Sequence, residues 1–475
     1  MDETALLDMD ATAIAEKIKS KEVSCEEVVR VYVGHIKKTN PFINAMVETR
    51  FDEALEESKH LDEQIKKNQW KGPLHGVPIS VKEAFHVANM KTTGGLVHRQ
   101  DLISRIDADV VTRLKNAGAI ILGKTNTPAL SFSQETENKL YGRTNNPWDL
   151  SKTAGGSSGG EGAILAVGGS AAGIGSDIGG SIRIPAHFNG VVSFKPGRKT
   201  VPSEGHFPPI HDPLLERMFA VGPMGKSVRD MRFMYQLIAN RPIEPNHLLN
   251  FKVEILPGSI DYPLSLTTIQ VLDEIEGFLG KSLTTKRTIP PFFDDSAKLW
   301  QEIIASSDSK VLERGAYNND RTGIMKGLIK ERIAEKTSVK PSLTKGIFAS
   351  KIFKPSAKRV REIQQILDQG DERLKTYLKN RLLIFPVYHS AAPKHGKVYR
   401  EIFSLRKRFL LYMPYVAYAN VWGLPALTIP VAIDEHGLPL SIQIMSAKGN
   451  EDAIFRLGRV LERKFRGYKR CTTFD

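Results

Sequence analysis

Residues 153–196 read TAGGSSGGEGAILAVGGSAAGIGSDIGGSIRIPAHFNGVVSFKP, and the rest of the chain is expected to fold around this stretch. It contains two serine-bearing glycine clusters, at 155–160 and 177–181. Glycines at this density let a backbone adopt positive φ and approach a ligand closely, at an entropic cost. Backbone amides freed in this way can bind an anion or an oxyanion. The simpler interpretation, which the pattern alone favours, is a small-residue helix contact flanked by two loops.

A lysine upstream adds a chemical group to these clusters. The segment PISVK at 78–82 ends a short apolar run with Lys82, which precedes Ser157 by 75 residues, and Ser181 follows Ser157 after 24 more. Burial at the end of such a run lowers a lysine's pKa and supplies a neutral amine near pH 7. A serine hydrolase that lacks a histidine needs such a base. The alternative is an ordinary surface lysine.

Together these motifs resemble the amidase signature family of serine hydrolases. The two spacings, and Glu161 directly after GGSSGG, are similar to the fatty acid amide hydrolase branch. The resemblance is strong over about residues 70–200, weaker over 422–445 and slight over about 200–400. It implies an α/β/α fold with a large mixed sheet surrounded by helices. It also implies a single amidase domain over 1–475, with a signature core at about 70–200 and a variable, substrate-lining region at about 200–400.

The resemblance also implies a mechanism. It assigns hydrolysis of a carboxylic amide, such as a fatty acid or aryl amide, through an acyl-enzyme on Ser181, with Ser157 as proton relay and neutral Lys82 as base. The peptide bond that precedes the relay serine is expected to be cis. The other implied groups are the oxyanion-hole amides of Ile178, Gly179, Gly180 and Ser181, and the supporting side chains of Ser158, Asp177 and Arg183. No cofactor and no metal ion is expected.

Two other functions stay open. One is the A subunit of a glutamine-dependent amidotransferase, which shares this core and delivers ammonia to a partner-bound acyl group; Glu161 argues against it. The other is a non-catalytic binding protein with the same fold, which the intact Lys82, Ser157 and Ser181 argue against.

Two further motif matches are rejected because the sequence does not predict the local structure that each motif requires. GAIILGKT at 118–125 matches the Walker A string, but its intervening residues predict a strand, and a P-loop needs a flexible loop there. GGSSG at 155–159 matches the nucleophile elbow, which requires a preceding strand, and 147–153 predicts a poor one. His187 is the nearest histidine and is expected to be structural.

Composition bounds the partners and the location. The 475 residues carry a formal net charge of +14 with 41% hydrophobic and 25% charged residues, which is ordinary globular material. Cys25 and Cys471 form no disulfide framework, and residues 1–19 have neither the basic start nor the apolar core of a signal peptide. A cytoplasmic protein with a small-molecule amide substrate is the expectation, and a homodimer stays open.

Two segments raise the question of membranes. Residues 351–408 hold fifteen lysines and arginines against five acidic residues, which suggests an anionic membrane surface as a partner; a solvated helical face is the simpler interpretation. No aromatic residues alternate with these charges as in nucleic-acid motifs, so no nucleic acid is expected. The uncharged run 409–433 could cross a bilayer in length, but its three prolines break a helix and predict buried core.

Periodicity predicts the local elements. A capping box at 24–27 predicts a helix that stops at Pro41. The remaining expectations are a helix over 52–66, a parallel strand–helix–strand unit over 76–122, a small-residue helix over 159–175, a strand at 382–386, a hairpin of 427–431 with 440–444, and a last helix capped by Asn450.

Overall fold

The computed structural model describes residues 2–258, 263–306, 309–318, 339–402 and 408–475. The α-helices in these ranges are α1 (Glu3–Asp8), α2 (Ala11–Lys19), α3 (Cys25–Ile43), α4 (Phe51–Lys66), α5 (Asp109–Asn116), α6 (Gly159–Ala166), α7 (Arg183–Asn189), α8 (Pro213–Met218), α9 (Val228–Ile238), α10 (Leu266–Leu279), α11 (Ser296–Ser306), α12 (Ser309–Tyr317), α13 (Pro341–Ile352), α14 (Ala357–Tyr377), α15 (Lys397–Ile402), α16 (Arg408–Tyr412), α17 (Pro414–Val421) and α18 (Glu451–Lys464). The strands there are β1 (Met46–Thr49), β2 (Pro78–Lys82), β3 (Ile120–Thr125), β4 (Glu137–Asn138), β5 (Gly142–Arg143), β6 (Asn145–Asn146), β7 (Asp149–Thr153), β8 (Ala172–Asp177), β9 (Val192–Lys195), β10 (Ala220–Gly225), β11 (Lys252–Ile255), β12 (Thr285–Arg287), β13 (Arg381–Pro386), β14 (Ala426–Ile433) and β15 (Pro439–Met445).

One mixed sheet organises the described part of the chain. Its 11 strands lie in the order β1-β3-β2-β8-β10-β9-β14-β15-β13-β11-β12. β2 pairs in parallel with both β3 and β8, so the predicted strand–helix–strand unit is confirmed. β14 and β15 form the predicted antiparallel hairpin, and β13 is the predicted strand at 382–386. The α/β class with a large mixed sheet is therefore confirmed.

Helices cover both faces of this sheet. In β15, Ile442 and Ile444 pack into an apolar cluster with residues of α18 such as Leu457. Gln443 lies between them and points to the opposite face, where its Oε1 accepts a hydrogen bond from Arg183 of α7 at 2.9 Å. The alternation of side chains along a strand places these contacts on opposite faces. This is the three-layer α/β/α arrangement.

The first predicted helix is longer than expected. Its capping box is present, but the prediction that it stops at Pro41 was wrong, because α3 runs through Pro41 to Ile43. A proline inside a helix removes one backbone hydrogen bond. The exit from the helix is held by Asn40, whose Oδ1 accepts the amides of Ala45 and Met46, each at 2.8 Å.

The predicted small-residue helix over 159–175 was wrong beyond Ala166. α6 ends there, and β8 begins at Ala172. Gly168 has a φ of +81°, a conformation that ends helices and that glycine adopts without strain. Gly173 then serves β8, because a Cβ at that position would overlap the carboxylate of Glu161.

A third correction concerns 147–153, which was predicted to be a poor strand. β7 occupies Asp149–Thr153 and pairs with β6. Its side chains are largely polar and partly exposed. The pairing therefore rests on backbone hydrogen bonds, which a hydrophobic pattern in the sequence does not predict.

The last helix begins after Asn450 as predicted, but the side chain of Asn450 does not cap it. Nδ2 of Asn450 instead donates to the carbonyls of Leu378 and Lys379.

Residues 413–431 of the run 409–433 are buried, as predicted, and the run contains α17 and β14. Its last residue, Ile433, is half exposed. Among the described residues, no helix has the length and apolar character needed to cross a bilayer.

The basic segment 351–408 contains ion pairs: Arg359 pairs with Glu302, and Arg381 pairs with Glu254. Residues 403–407 of this segment lie outside the described ranges. Membrane contact, a homodimer, cytoplasmic location and the single-domain boundaries stay predictions.

Gly162 in α6 allows a test of the packing between α6 and α7, and the exposed Gly277 in α10 provides the control. A Cβ at Gly162 would lie 2.7 Å from Asn189 Nδ2 and 3.0 Å from Pro185 O of α7, whereas a Cβ at the exposed Gly277 in α10 meets nothing within 4 Å. We expect Gly162→Ala to destabilise the fold by about 1–3 kcal/mol through overpacking. The control, Gly277→Ala, should stabilise it by about 0.5–1 kcal/mol because alanine is the better helix former. Urea unfolding of both variants measures this, and a stabilised Gly162→Ala would contradict it.

Candidate active site

Lys82 lies at the edge of the sheet where two parallel strands end. β2 ends at Lys82 and its parallel neighbour β8 ends at Asp177, and ligand sites form at the carboxyl ends of such strands. Hydrogen bonds join Lys82 Nζ to Ser157 Oγ at 2.6 Å and to Ser176 Oγ at 2.9 Å. Burial lowers the pKa of Lys82 to about 7, and the carboxyls of Asp177 and Glu161 act in the opposite direction. A neutral amine is therefore accessible near neutral pH.

The two serine clusters meet beside this lysine. The Gly156–Ser157 peptide bond is cis, as expected, and the amide of Ser158 donates to the carbonyl of Ser181 at 3.1 Å. Lys82 is 0% exposed, Ser157 1% and Ser181 6%. The order of exposure places Ser181 at the accessible end of the group and Lys82 at its buried end.

A buried ion pair supports the second cluster. Nε and Nη2 of Arg183 each lie 3.1 Å from a carboxylate oxygen of Asp177, and both side chains are fully buried. The amides of Gly180 and Ile182 and Nδ2 of Asn420 also donate to this carboxylate, at 2.8, 3.1 and 2.9 Å. Burial acts to raise the pKa of Asp177, but the charge and hydrogen bonds of Arg183 hold it well below its usual range. The carboxylate is thus a permanent charge at the end of β8, where the 178–181 loop begins.

Arg183 also ties the loop to the C-terminal half. Its Nη1 donates to the carbonyl of Val416 at 3.0 Å and to Gln443 Oε1 at 2.9 Å, and its Nη2 donates to Asn420 Oδ1 at 2.6 Å. The structure brings the predicted Asp177 and Arg183 into contact. It adds Asn420 and Gln443, which sequence reasoning missed. The weak resemblance over 422–445 was the available signal for this contact, and it ends short of Asn420.

Two side chains from other elements orient the peptide units of the loop. Trp300 Nε1 of α11 donates to the carbonyl of Ile178 at 2.7 Å, and Gln134 Nε2 donates to the carbonyl of Gly179 at 2.7 Å. In a trans peptide the N–H points opposite to the C=O, so the first contact fixes the amide of Gly179 and the second directs the amide of Gly180 toward Asp177. Trp300 and Gln134 carry no recognisable sequence signal, and sequence reasoning missed them.

Glu161 is buried in a polar niche formed by Ser80 and Thr125. Ser80 Oγ donates to Glu161 Oε2 at 2.6 Å and Thr125 Oγ1 donates to Oε1 at 2.9 Å. Burial raises the pKa of Glu161 to about 8, although the hydroxyls and Lys82 act against this. Burial thus disfavours the charged forms of both Glu161 and Lys82.

The remaining predicted positions are also accounted for. The Walker A-like string contains β3, as expected from its apolar residues. His187 is buried and contacts Ser390 O at 3.0 Å and the amide of Ser441 at 2.9 Å, with no link to the serines of the site among the described hydrogen bonds. A narrow cavity adjoins the 178–181 loop, with Gln134, Ile184, Tyr388, Glu401, Met413 and Val416 in its wall.

Known proteins resemble this chain in sequence and in fold over most of its length. The family model described as Amidase matches residues 27–254 and 281–455. Fatty-acid amide hydrolase 2 of Homo sapiens is 31% identical, over 98% of this chain and 90% of the relative. The A subunit of glutamyl-tRNA(Gln) amidotransferase from Prochlorococcus marinus (strain MIT 9312) is 29% identical, over 96% of this chain and 98% of the relative. A crystal structure of an amidase superposes with a TM-score of 0.81 at 25% identity, covering 96% of this chain and 100% of that chain.

The chain therefore belongs to the amidase signature family of hydrolases. Within that family it is an amide-hydrolysing enzyme.

The buried ion pair makes a testable contribution to stability. We expect Arg183→Met to destabilise the fold by about 3–5 kcal/mol, because it leaves the carboxylate of Asp177 buried without its cation. Asp177→Asn combined with Arg183→Met should recover part of this loss, since it removes the uncompensated charge. Lys66→Met, in an exposed ion pair with Glu63, is the control and should leave the melting temperature nearly unchanged. A double variant less stable than Arg183→Met would contradict the role of the charge.

Proposed function

We propose that the enzyme hydrolyses its amide through an acyl-enzyme on Ser181, with a Ser181–Ser157–Lys82 triad. The observation that carries the proposal is the contact between fully buried Lys82 and Ser157, at 2.6 Å, beside the more exposed Ser181. A pKa of about 7 lets this lysine serve as a neutral base and as an acid in one cycle.

Acylation begins with a proton transfer away from the nucleophile. Neutral Lys82 accepts the hydroxyl proton of Ser157 as Ser157 accepts that of Ser181, and Ser181 Oγ bonds to the substrate carbonyl carbon. The resulting ammonium of Lys82 then returns the proton through Ser157 to the amide nitrogen, and the C–N bond breaks to release the amine. Water takes the place of the amine and hydrolyses the ester on Ser181 by the reverse transfer.

The oxyanion formed in each step is stabilised by the loop at 178–181. Of the four predicted donors, the amide of Gly180 has the carboxylate of Asp177 as its acceptor, so the amides of Ile178, Gly179 and Ser181 are the proposed donors. A single donor of this kind contributes about 3–4 kcal/mol to the transition state. Asp177, Arg183 and Ser158 act by holding the loop and do not touch the substrate in this scheme.

Fatty acid amides are the substrate class that we propose first, since fatty-acid amide hydrolase 2 is 31% identical over nearly the full chain. The wall of the cavity beside the loop includes the apolar side chains of Ile184 and Val416, which favours an apolar acyl or aryl group. With a volume of about 10 Å³ the cavity must widen to admit such a group. A screen of fatty, aryl and short-chain amides ranks these classes.

The amidotransferase alternative has specific support in the 29% identity with the A subunit of glutamyl-tRNA(Gln) amidotransferase. Glu161, which completes a buried contact with Ser80, and the similarity to fatty-acid amide hydrolase 2 favour the hydrolase. Glutaminase activity that rises only when partner proteins are added would favour the alternative.

The nucleophile can be identified by covalent labelling. A fluorophosphonate probe should label the wild-type protein once, with the adduct on Ser181, because that serine is the most exposed of the three and has oxyanion donors beside it. Ser181→Ala should abolish labelling, and Ser157→Ala should slow it. Peptide mapping by mass spectrometry locates the adduct, and an adduct on Ser157 or Ser158 would reverse the proposed order of the serines.

The base can be tested with a matched amide and ester. Lys82→Ala should lower amide turnover by about 10²–10⁴-fold, the range of general acid–base catalysis. Hydrolysis of an activated ester should fall less, because its leaving group needs the returned proton less than an amine does. Since Lys82 is the base when neutral, the wild-type rate should rise with pH through about 7 and this rise should be absent in Lys82→Ala.

Lys82→Arg is the control for charge and size. Guanidinium stays protonated over the accessible range, so this variant should be as slow as Lys82→Ala on the amide. Near wild-type amide turnover by Lys82→Arg would end the Ser–Ser–Lys scheme and require a different base.

A further inference from the structure

A histidine that the triad does not use stands behind the catalytic lysine. Ser176 Oγ, which contacts Lys82 Nζ at 2.9 Å, also lies 2.9 Å from His206 Nε2. The other ring nitrogen of His206, Nδ1, lies 3.0 Å from the carbonyl oxygen of Pro208. The chain Pro208–His206–Ser176–Lys82 is thus continuous, and all its side-chain groups are buried.

The direction of each hydrogen bond follows from the carbonyl at the end of this chain. A carbonyl oxygen only accepts, so Nδ1 of His206 carries the proton, and Nε2 of the neutral ring is an acceptor. The hydroxyl of Ser176 must then donate to Nε2. Its oxygen is left to accept a hydrogen bond, and the donor within reach is Nζ of Lys82.

This direction matters for a base. A neutral amine has two N–H donors and one lone pair. If one N–H is directed to Ser176, the lone pair can face Ser157 Oγ at 2.6 Å, where it is needed to accept the proton. If Ser176 could turn its own hydroxyl proton toward Lys82, it would occupy the lone pair and compete with Ser157.

We propose that His206 is a positioning residue for the base: by accepting the Ser176 hydroxyl, it makes Ser176 an obligatory acceptor for Lys82 and directs the lysine lone pair to Ser157. The inference rests on the proposed role of Lys82 in the preceding section. It assigns a function to His206 and Ser176 that the sequence motifs do not indicate.

The surroundings of His206 keep it in the required form. Burial lowers the pKa of His206 to about 3, with the charge of Lys82 acting in the same direction, so the ring is neutral over the working range. The rings of Phe85 and Phe219 pack edge-to-face with the His206 ring, with centroids 5.0 and 4.9 Å away. An aromatic replacement can therefore fill the same space.

The test compares substitutions that keep the packing but change the acceptor. His206→Phe keeps an aromatic ring and removes the acceptor, and should lower kcat/KM for the amide about 10-fold, the effect of one lost hydrogen bond. His206→Gln can keep an acceptor near the position of Nε2 and should retain most of the activity. His187→Phe, at a buried histidine with two hydrogen bonds of its own and none described to Lys82 or Ser176, is the matched control for losing a buried, hydrogen-bonded histidine.

The pH profile separates positioning from a structural role. The acid limb of kcat/KM reports the base in the free enzyme. In His206→Phe this limb should move to lower pH, because Ser176 becomes a weaker acceptor for the ammonium of Lys82. The other ionisable groups near Lys82 are Asp177, Glu161 and Glu83, and His86 lies near His206; the substitutions leave all of them in place. His187→Phe should leave the limb unmoved.

A double-mutant cycle with Ser176→Ala tests the route. If His206 acts through Ser176, the variant that combines Ser176→Ala with His206→Phe should be as active as Ser176→Ala alone. Additive losses would overturn the proposal, as would a His206→Phe variant with a wild-type rate and pH profile. Should His206→Phe not fold, the comparison of Ser176→Ala with wild type decides: an unshifted acid limb in Ser176→Ala overturns the proposal.

Lys82→Ala distinguishes failure of this inference from failure of the mechanism. An inactive Lys82→Ala beside a wild-type-like His206→Phe rejects only the role of His206. An active Lys82→Ala rejects both.

Discussion

The buried ion pair of Asp177 and Arg183 is the interaction on which the site depends. Two charges without access to water are stable only when they are paired and their remaining hydrogen-bonding groups are satisfied. Here the carboxylate receives backbone amides from its own loop, and the guanidinium extends to Val416, Asn420 and Gln443. The pairing of these two buried charges thus fixes the 178–181 loop. It also joins the loop to a helix and a strand more than 200 residues away in the sequence.

Asp177 stays charged although it is buried, whereas burial favours the neutral form of Lys82. Its amine has hydroxyl partners in Ser157 and Ser176 instead of a hydrogen-bonded carboxylate, so the loss of hydration is not offset and its pKa falls. The sheet therefore holds a permanently charged Asp177 and a readily deprotonated Lys82 at the ends of adjacent strands. The difference arises from the partners, since both side chains are fully buried.

Local sequence predicted the elements whose signal is local. The capping box, the parallel unit of β2, α5 and β3 and the C-terminal hairpin were all confirmed, because end signals and alternation of side chains depend on near neighbours. The prediction of a helix over 159–175 was wrong beyond Ala166, because what decides between helix and strand there is contact with residues distant in the sequence. Glycine and alanine suit a tightly packed helix and a tightly packed strand alike, and the glycines of β8 are there because Glu161 of α6 and the preceding Ser158 pack against them.

The sequence by itself determined the glycine–serine clusters, the lysine at its spacing and, through the family resemblance, the class of enzyme. It also placed Asp177 and Arg183 beside the site, since they lie next to Ser181 in the chain. Only the tertiary structure decided that Trp300 and Gln134 orient the loop and that His206 stands behind Lys82 through Ser176. These contacts join distant segments, and their direction and burial depend on how the chain packs, which residue order within a motif does not encode.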